Sequence, residues 1–355
     1  NFSNCGTTGR SGPTVAQIQA EYNGTNLTGK VTVSGGVQQW TIPATGEYYI
    51  SAIGAEGGYG NGGIGVGSAT YPGQGALMIG KFSLTQGQNL KIVVGQQGAD
   101  GPNSQGAGGG GGTFVWLDGD STPLIVAGGG GGAGEENSAK AREASIFTDG
   151  MASASGDLGG TDGRHGTDAS DNEGFGGSGW VSSGTHTGAG KKFIGGDASQ
   201  ADGGFGGGGG GNQGGGGGGG YSGGGGGRDS SFGGGGGGSY NSGTSQKNLI
   251  GVGVGHGLVR IYRAEGDTPC MPQMTLLSSS WKVQGAVVSK LIYDLGQEYR
   301  AASPAEVTKA REAATPGGVN NWTATNQVKP RNLPGKVNEY GFDVSTTSGF
   351  WVIKE

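Results

Sequence analysis

Residues 202–238 read DGGF-GGGGGG-NQ-GGGGGGG-YS-GGGGG-RDSSF-GGGGGG, which is four glycine runs of six, seven, five and six residues with short breaks between them. Two more runs of five glycines, 108–112 and 128–132, lie upstream. Matched lengths are typical of rods that each cross one layer before the chain turns. Glycine permits close backbone approach, and three-residue-per-turn extended helices rise about 3.1 Å per residue. The runs therefore predict a packed bundle of extended rods, with a disordered low-complexity tract as the alternative.

Composition limits the classes of protein to which the chain can belong. It has 90 glycines in 355 residues but only 11 prolines, and the glycines do not recur at every third position, so collagen is excluded. The net charge of −5 argues against nucleic acid or an anionic membrane as a partner. No stretch approaches 18 consecutive apolar residues, which predicts no membrane span. Six Trp, 11 Tyr and 10 Phe are enough aromatic residues to build a core.

Alternating apolar residues predict a β scaffold around the glycines. Short strands separated by turn residues indicate an antiparallel sandwich built from residues 1–127 and 249–264, with residues 128–248 as a polyglycine and loop insertion. The predicted strands are Val37–Ile42, Glu47–Ile53, Ala76–Leu84, Leu90–Val94, Thr113–Leu117, Leu124–Ala127 and Leu258–Tyr262. A short helix is predicted near the start, with Pro13 at its first position and Val15, Ile18 and Tyr22 on one face. Anchoring both ends of the insertion favours its order.

Several motifs in this order resemble one known family. They are CGTTGRSGPTVAQ from Cys5, WTIPAT from Trp40, YISAIGA from Tyr49, VGQQG from Val94, the glycine runs that follow Gly203-Gly204-Phe205, and Gly255-His256-Gly257. From about Phe2 to Arg263 the chain resembles the extracellular glycine-rich domain of the anaplastic lymphoma kinase and leukocyte tyrosine kinase receptors. That resemblance implies a tumour-necrosis-factor-like β-sandwich with an inserted bundle of polyglycine helices, an extracellular setting and a role in recognition.

Cysteine usage departs from the pattern of that family. The receptor domain has a second cysteine soon after its first, where this chain has Ile18. The two cysteines, Cys5 and Cys270, fit a single disulfide in an oxidising compartment, or an unpaired intracellular pair. We expect the disulfide. No residue here matches a ligand-contacting motif of the receptors, so none is carried over.

The last part of the chain differs in character. From residue 265 to 355 glycine becomes ordinary, and Ser303-Pro304-Ala305-Glu306 is a capping box that predicts a helix ending before Pro316. Strand-like segments flank it at Trp281–Val288 and Phe350–Ile353. We expect a small α+β module of no recognised family.

Four Asn-X-Ser/Thr sequons, at Asn1, Asn23, Asn26 and Asn321, are candidate glycosylation sites. The sequence begins at Asn1 with neither a methionine nor a signal segment, as expected of a processed secreted protein or of a fragment. Together with the resemblance, these features predict an extracellular, secreted or cell-surface location.

Catalytic and metal sites are not predicted. The histidines His165, His186 and His256 lie among glycines without ligand partners at metal spacing, and no nucleophile lies in a recognisable turn. The acidic stretch Asp157–Glu173 lacks the regular spacing of a calcium loop and is expected to be a solvated surface. We therefore expect a non-enzymatic protein with no cofactor and no bound metal.

The segment Glu135–Lys192 is the predicted recognition region. It is polar, it would lie on a rigid scaffold, and it contains Phe147 and Trp180, which are candidate binding residues. The first hypothesis is adhesion to, or recognition of, a protein or glycan partner, or self-assembly into an extracellular fibre or oligomer. Two alternatives remain open: a receptor-binding adhesin at a phage tail-fibre tip, and an ice-binding protein.

Overall fold

A computed structural model describes residues 1–60, 71–102, 105–134, 141–170, 173–229, 231–264, 273–276, 299–301 and 351–354. The chain divides into two compact units, Asn1–Glu265 and Gly266–Glu355. Of the second unit, the described residues are three short strands, β11 (Gln273–Leu276), β12 (Tyr299–Ala301) and β13 (Trp351–Lys354). They form an antiparallel sheet in the order β11-β13-β12. The predicted strand at Phe350–Ile353 corresponds to β13, whereas the strand at Trp281–Val288 and the helix after Ser303 lie outside the described residues.

The first unit begins with a helix, α1 (Val15–Tyr22). Thr14 is its N-cap, and the capping box is completed by Gln17, whose side chain accepts the Thr14 N–H. Pro13 therefore precedes the cap and is not the first helical residue as predicted. Ile18 and Tyr22 are buried, but Val15 is exposed, so the predicted apolar face is narrower than expected.

Ten strands of the first unit form two antiparallel sheets. They are β1 (Val31–Ser34), β2 (Val37–Thr41), β3 (Gly46–Ile53), β4 (Gly75–Leu84), β5 (Asn89–Val93), β6 (Thr113–Leu117), β7 (Ile125–Ala127), β8 (Tyr240–Asn241), β9 (Thr244–Gly253) and β10 (Leu258–Arg263). One sheet has the order β1-β2-β5-β6-β7-β8 and the other β10-β3-β4-β9. The fold of this unit is thus mainly β, with the architecture of a β-sandwich.

The core between the sheets follows from strand alternation. In β3 the buried side chains Tyr48, Ile50 and Ala52 alternate with half-buried ones, and in β5 Leu90 and Ile92 are fully buried. These residues belong to one apolar cluster that also includes Phe2 and the buried face of α1. A second apolar cluster, around Phe114 and Phe205, covers the other side of the six-stranded sheet.

The insertion boundaries differ from the prediction. We expected no strand between Ala127 and Leu258, but β8 and β9 return the chain to the two sheets from Tyr240 onward. The strand β1 was also not predicted. It pairs with β2 across Gly35-Gly36, which both have positive φ. Paired glycines of this kind favour a tight hairpin.

The glycine layer is formed by described residues of three excursions of the chain. They are residues 54–60 and 71–75 between β3 and β4, residues 94–102 and 105–112 between β5 and β6, and residues 128–134, 141–170, 173–229 and 231–239 between β7 and β8. Backbone bonds join the excursions: Gly130 N–H donates to Ala55 O (2.9 Å) and Gly110 N–H to Gly130 O (2.8 Å). Described residues of all three connections therefore contribute to the glycine layer, whereas a single insertion was predicted.

The longest run, 214–220, is bonded on every side with a period of three residues. Its N–H groups donate to the carbonyls of three segments, and each segment receives two bonds from residues three apart. Gly216 donates to Ala107 and Gly219 to Gly110. Gly217 donates to Phe175 and Gly220 to Ser178, while Gly215 donates to Phe232 and Gly218 to Gly235. Its carbonyls accept from three other segments, through the N–H groups of Gly129 and Gly132, of Gly224 and Gly227, and of Gly209. Six neighbouring segments thus surround one run, and the backbone groups of its interior are hydrogen-bonded as burial demands.

This packing leaves no room for side chains. A Cβ built on Gly217 would lie 2.1 Å from Gly224 O and 2.9 Å from Gly177 N, and one on Gly218 would lie 2.1 Å from Gly129 O. In the runs from 206 to 238, only Gly206 and Gly207 have positive φ. At most run positions glycine is therefore required because neighbouring backbones approach too closely for a Cβ. At Gly206 and Gly207 it is also favoured by the left-handed backbone conformation.

One buried carboxyl fastens the β9–β10 turn to the glycine layer. Glu56 N–H donates to Gly255 O (2.8 Å), and Gly255 N–H donates to Glu56 Oε2 (3.0 Å). The Tyr59 hydroxyl donates to Glu56 Oε1 (3.2 Å). Burial raises the pKa of Glu56 to about 7, with Glu143 and Asp100 adding to the rise, although the two hydrogen bonds oppose it. Glu56 was not among the residues that the sequence patterns marked.

Candidate functional site

Within the predicted recognition segment, residues 145–167 form a layer over the glycine runs, whereas residues 175–178 are buried among the runs. Backbone bonds hold it: Ser145 N–H donates to Gly237 O (2.9 Å), Met151 N–H to Gly236 O (2.8 Å), and Gly160 N–H to Gly223 O (2.8 Å). The passes of this layer also bond to each other, since Gly150 N–H donates to Gly160 O (2.9 Å). The layer is therefore a fixed surface, ordered by the glycine runs beneath it.

Large apolar side chains point outward from these passes. Phe147 is 73% exposed, Leu158 is 68% exposed, and Met151 and Val181 are also exposed. Met151 and Leu158 lie on adjacent passes, because a Cβ on Gly159 would approach the Met151 carbonyl carbon to 2.9 Å. Val181 packs over Gly163 on the next pass, with its N–H donating to Gly163 O (2.7 Å). We call these four residues the outer apolar group; each is a large, exposed apolar side chain on a backbone-bonded pass.

An ion pair between a buried carboxylate and an exposed arginine fixes the turn that presents Leu158. The Arg228 Nε donates to both carboxylate oxygens of Asp157 (3.0 and 3.1 Å), and the Ser155 hydroxyl donates to Asp157 Oδ2 (2.8 Å). The Asp157 side chain is only 3% exposed, although that of Arg228 is 61% exposed. Because the carboxylate is fully paired, the turn Ser153–Asp157 is held in one geometry. Asp157 thus has a structural role in the acidic stretch that was expected to be a solvated surface.

Trp180 lies in a different setting from Phe147. It is 7% exposed and packs against Phe114, Trp116 and Phe193, with ring centroids 5.4–6.1 Å apart. Its Nε1 donates to Ser121 O (2.7 Å), and the Lys192 ammonium lies 4.3 Å from its ring centroid. The ring therefore anchors the insertion to the six-stranded sheet and is not presented to a partner. Phe147 stays a candidate contact residue.

The structure places the remaining predicted sites apart from this surface. Asn1, Asn23 and Asn26 are exposed, as glycosylation would require, whereas Asn321 lies outside the described residues. Cys5 is buried, and its thiol donates to the Tyr22 hydroxyl at 3.6 Å. Burial raises the pKa of this thiol. Cys270 lies outside the described residues, so the disulfide stays a prediction.

Among the described residues, no group of three or more His, Cys, Asp or Glu side chains is placed to hold a metal ion. Two of the histidines have structural contacts: His256 Nδ1 accepts from Gln97 N–H (3.1 Å), and His186 stacks on Phe175 with ring centroids 4.5 Å apart. Burial lowers the pKa of His256. In the described part of the chain, no helix has the length and apolar character needed to cross a bilayer.

Sequence reasoning missed three members of the outer apolar group, Met151, Leu158 and Val181. Met151 and Leu158 are single apolar residues among small and polar neighbours, and Val181 follows only Trp180, so no periodicity marks them. The available signal was indirect, because the segment packs on glycine runs whose backbones leave little room for large side chains.

Comparison with known proteins relates part of the chain to one receptor. The leukocyte tyrosine kinase receptor of Mus musculus is 40% identical to the chain over 102 residues, which are 28% of this chain and 11% of the receptor. No protein-family model matches the chain. The chain thus corresponds to about a tenth of the length of this relative, and the similarity relates the two proteins over that part.

Proposed function

We propose that this chain is a non-enzymatic recognition module of an extracellular or cell-surface protein. The similarity to a receptor supports this setting, and the matched part is too small a share of the receptor to carry its kinase activity to this chain. The three-residue period of the hydrogen bonds around residues 214–220 supports assigning the glycine runs as polyglycine II helices. Two antiparallel sheets support a sandwich of the tumour-necrosis-factor type.

The observation that carries the proposed function is the outer apolar group on a rigid backbone-bonded layer. A stack of glycine backbones offers a partner little contact chemistry, but it fixes the position of the side chains above it. Rigid presentation lowers the ordering cost of association, and loops on rigid scaffolds carry binding residues. Exposed apolar side chains on such a surface favour a protein partner, with Phe147, the most exposed of the four, as the anchor. No observation on the described residues favours the fibre, tail-fibre or ice-binding alternatives.

The test uses the full chain on an array of extracellular proteins and glycans. We expect Phe147→Ser combined with Leu158→Ser to weaken binding to the selected protein at least about tenfold, because both changes remove apolar contact surface. A tenfold loss corresponds to about 1.4 kcal/mol of binding free energy. Ile250→Ser is the matched control, since Ile250 is an exposed apolar residue on β9. Equal binding by the double variant, or an equal loss in the control, would place recognition elsewhere.

A further inference from the structure

The outer face of the four-stranded sheet carries a stacked pair of tyrosines, of which one is solvent-exposed. Strand register aligns Tyr262, Tyr49 and Lys81 in one row, and Arg260, Ser51, Ile79 and Lys247 in the next. The rings of Tyr49 and Tyr262 stack with centroids 5.3 Å apart and planes inclined by 22°. Tyr262 is 52% exposed although it lies on a strand. Because the alternate β3 residues fill the core, Tyr49 and Ser51 face away from it.

This face is basic on a chain that is acidic overall. Its two rows carry Lys81, Arg260 and Lys247, and within the four described strands the acidic residue is Glu47, whose carboxylate lies 3.7 Å from the Lys81 ammonium. The whole chain has a net charge of −5. A local cationic surface of this kind attracts an anionic ligand through charge complementarity. Four strands about 4.8 Å apart give a strip roughly 14 Å wide.

The residue types narrow the chemistry of the ligand. Stacked tyrosines present an apolar ring surface edged by hydroxyl groups, which suits the C–H faces and hydroxyls of sugar rings. Arginine and lysine bind carboxylate groups through charge-assisted hydrogen bonds. We propose that the outer face of the four-stranded sheet, centred on Tyr49, Tyr262 and Arg260, binds a carboxylate-bearing polysaccharide. This surface is separate from the outer apolar group, so the inference does not depend on the proposed function.

The experiment measures binding of the full chain to polygalacturonate, with neutral dextran and poly-glutamate as comparison probes. We expect binding to polygalacturonate that weakens with added salt, and no binding to dextran. Tyr262→Ala and Arg260→Gln should each weaken it at least about tenfold, whereas Lys30→Gln, a charge loss on an exposed loop, should leave it unchanged. Lys247→Gln on the exposed β9 replaces Arg260→Gln if that variant unfolds.

Three outcomes would overturn the inference. One is the absence of binding to polygalacturonate. Another is an equal loss in Lys30→Gln, which would mean that only net charge matters. The third is poly-glutamate binding of the same strength with the same sensitivity to Tyr262→Ala, which would assign the face to acidic peptides instead.

Discussion

Gly217→Val is expected to cost more than about 3 kcal/mol of folding free energy or to prevent folding, which is the upper end for point mutants. The new Cβ would lie 2.1 Å from Gly224 O, a backbone atom that is itself part of the layer. A valine adds two methyl groups beyond that clash. Relief would require separating runs whose N–H groups are bonded at about 2.8–3.2 Å on both sides. Gly217→Ala should also destabilise, because the clash begins at Cβ.

The matched control is Gln213→Val, four residues earlier. Gln213 is exposed in the break between two runs, so a valine there meets solvent instead of backbone. Thermal unfolding of the variants and the parent chain measures the effect. Unchanged melting of Gly217→Val would contradict a packed layer, because a disordered tract accepts the substitution without loss.

The second large effect is expected from pH. The pKa of Glu56 is about 7 in the folded chain against an ordinary value of 4.5, so the folded state holds a proton that the unfolded state releases between these values. The contribution of protonated Glu56 to stability is full below about pH 4.5 and is lost as pH rises to about 7. A shift of this size corresponds to roughly 3 kcal/mol. Glu56→Gln should remove this loss, because a glutamine oxygen still accepts a hydrogen bond and carries no charge.

Unfolding free energies at pH 5 and pH 8.5 test the expectation. The unfolding free energy of Glu56→Gln, relative to that of the parent chain, should be larger at pH 8.5 than at pH 5. Asp120→Asn, in an exposed turn, should show the same pH dependence as the parent. Parallel pH profiles for Glu56→Gln and the parent would show that Glu56 is already ionised at pH 5 in the folded chain.

Strand prediction succeeded where side chains alternate against a core. The strands at Glu47–Ile53 and Thr113–Leu117 were predicted within a residue of β3 and β6, because burial on one face imposes a period of two. Strand prediction failed for β9, because this edge strand is mostly exposed and its polar sequence is like that of a loop. A positive φ at Ser245 and shifts in its register with β4 further weaken the pattern.

The sequence predicted that the glycine runs pack as rods, but not which run neighbours which. Matched run lengths predict rods, yet identical residues carry no information about which run neighbours which, or in what register. That information lies in the residues at the run ends. Phe205 is 1% exposed, its N–H donates to Gly9 O, and its ring fills the space beside Gly12 and Gly36.

The same limit explains the different outcomes for Trp180 and Phe147. Both are aromatic residues in a polar segment, and the sequence does not distinguish an anchor that holds the segment down from a residue offered to a partner. Trp180 packs on Phe114 and Trp116 of the six-stranded sheet and is 7% exposed, whereas Phe147 is 73% exposed.

Amide hydrogen exchange across residues 206–238 tests the central claim, an ordered layer of hydrogen-bonded glycine runs, most directly. Gly215 to Gly219 each donate an N–H to a neighbouring segment and are buried, so we expect their exchange to be slowed by orders of magnitude relative to an unstructured peptide. Exchange of the whole stretch at the rate of an unstructured chain would contradict the layer and, with it, the rigid presentation on which the proposed function depends.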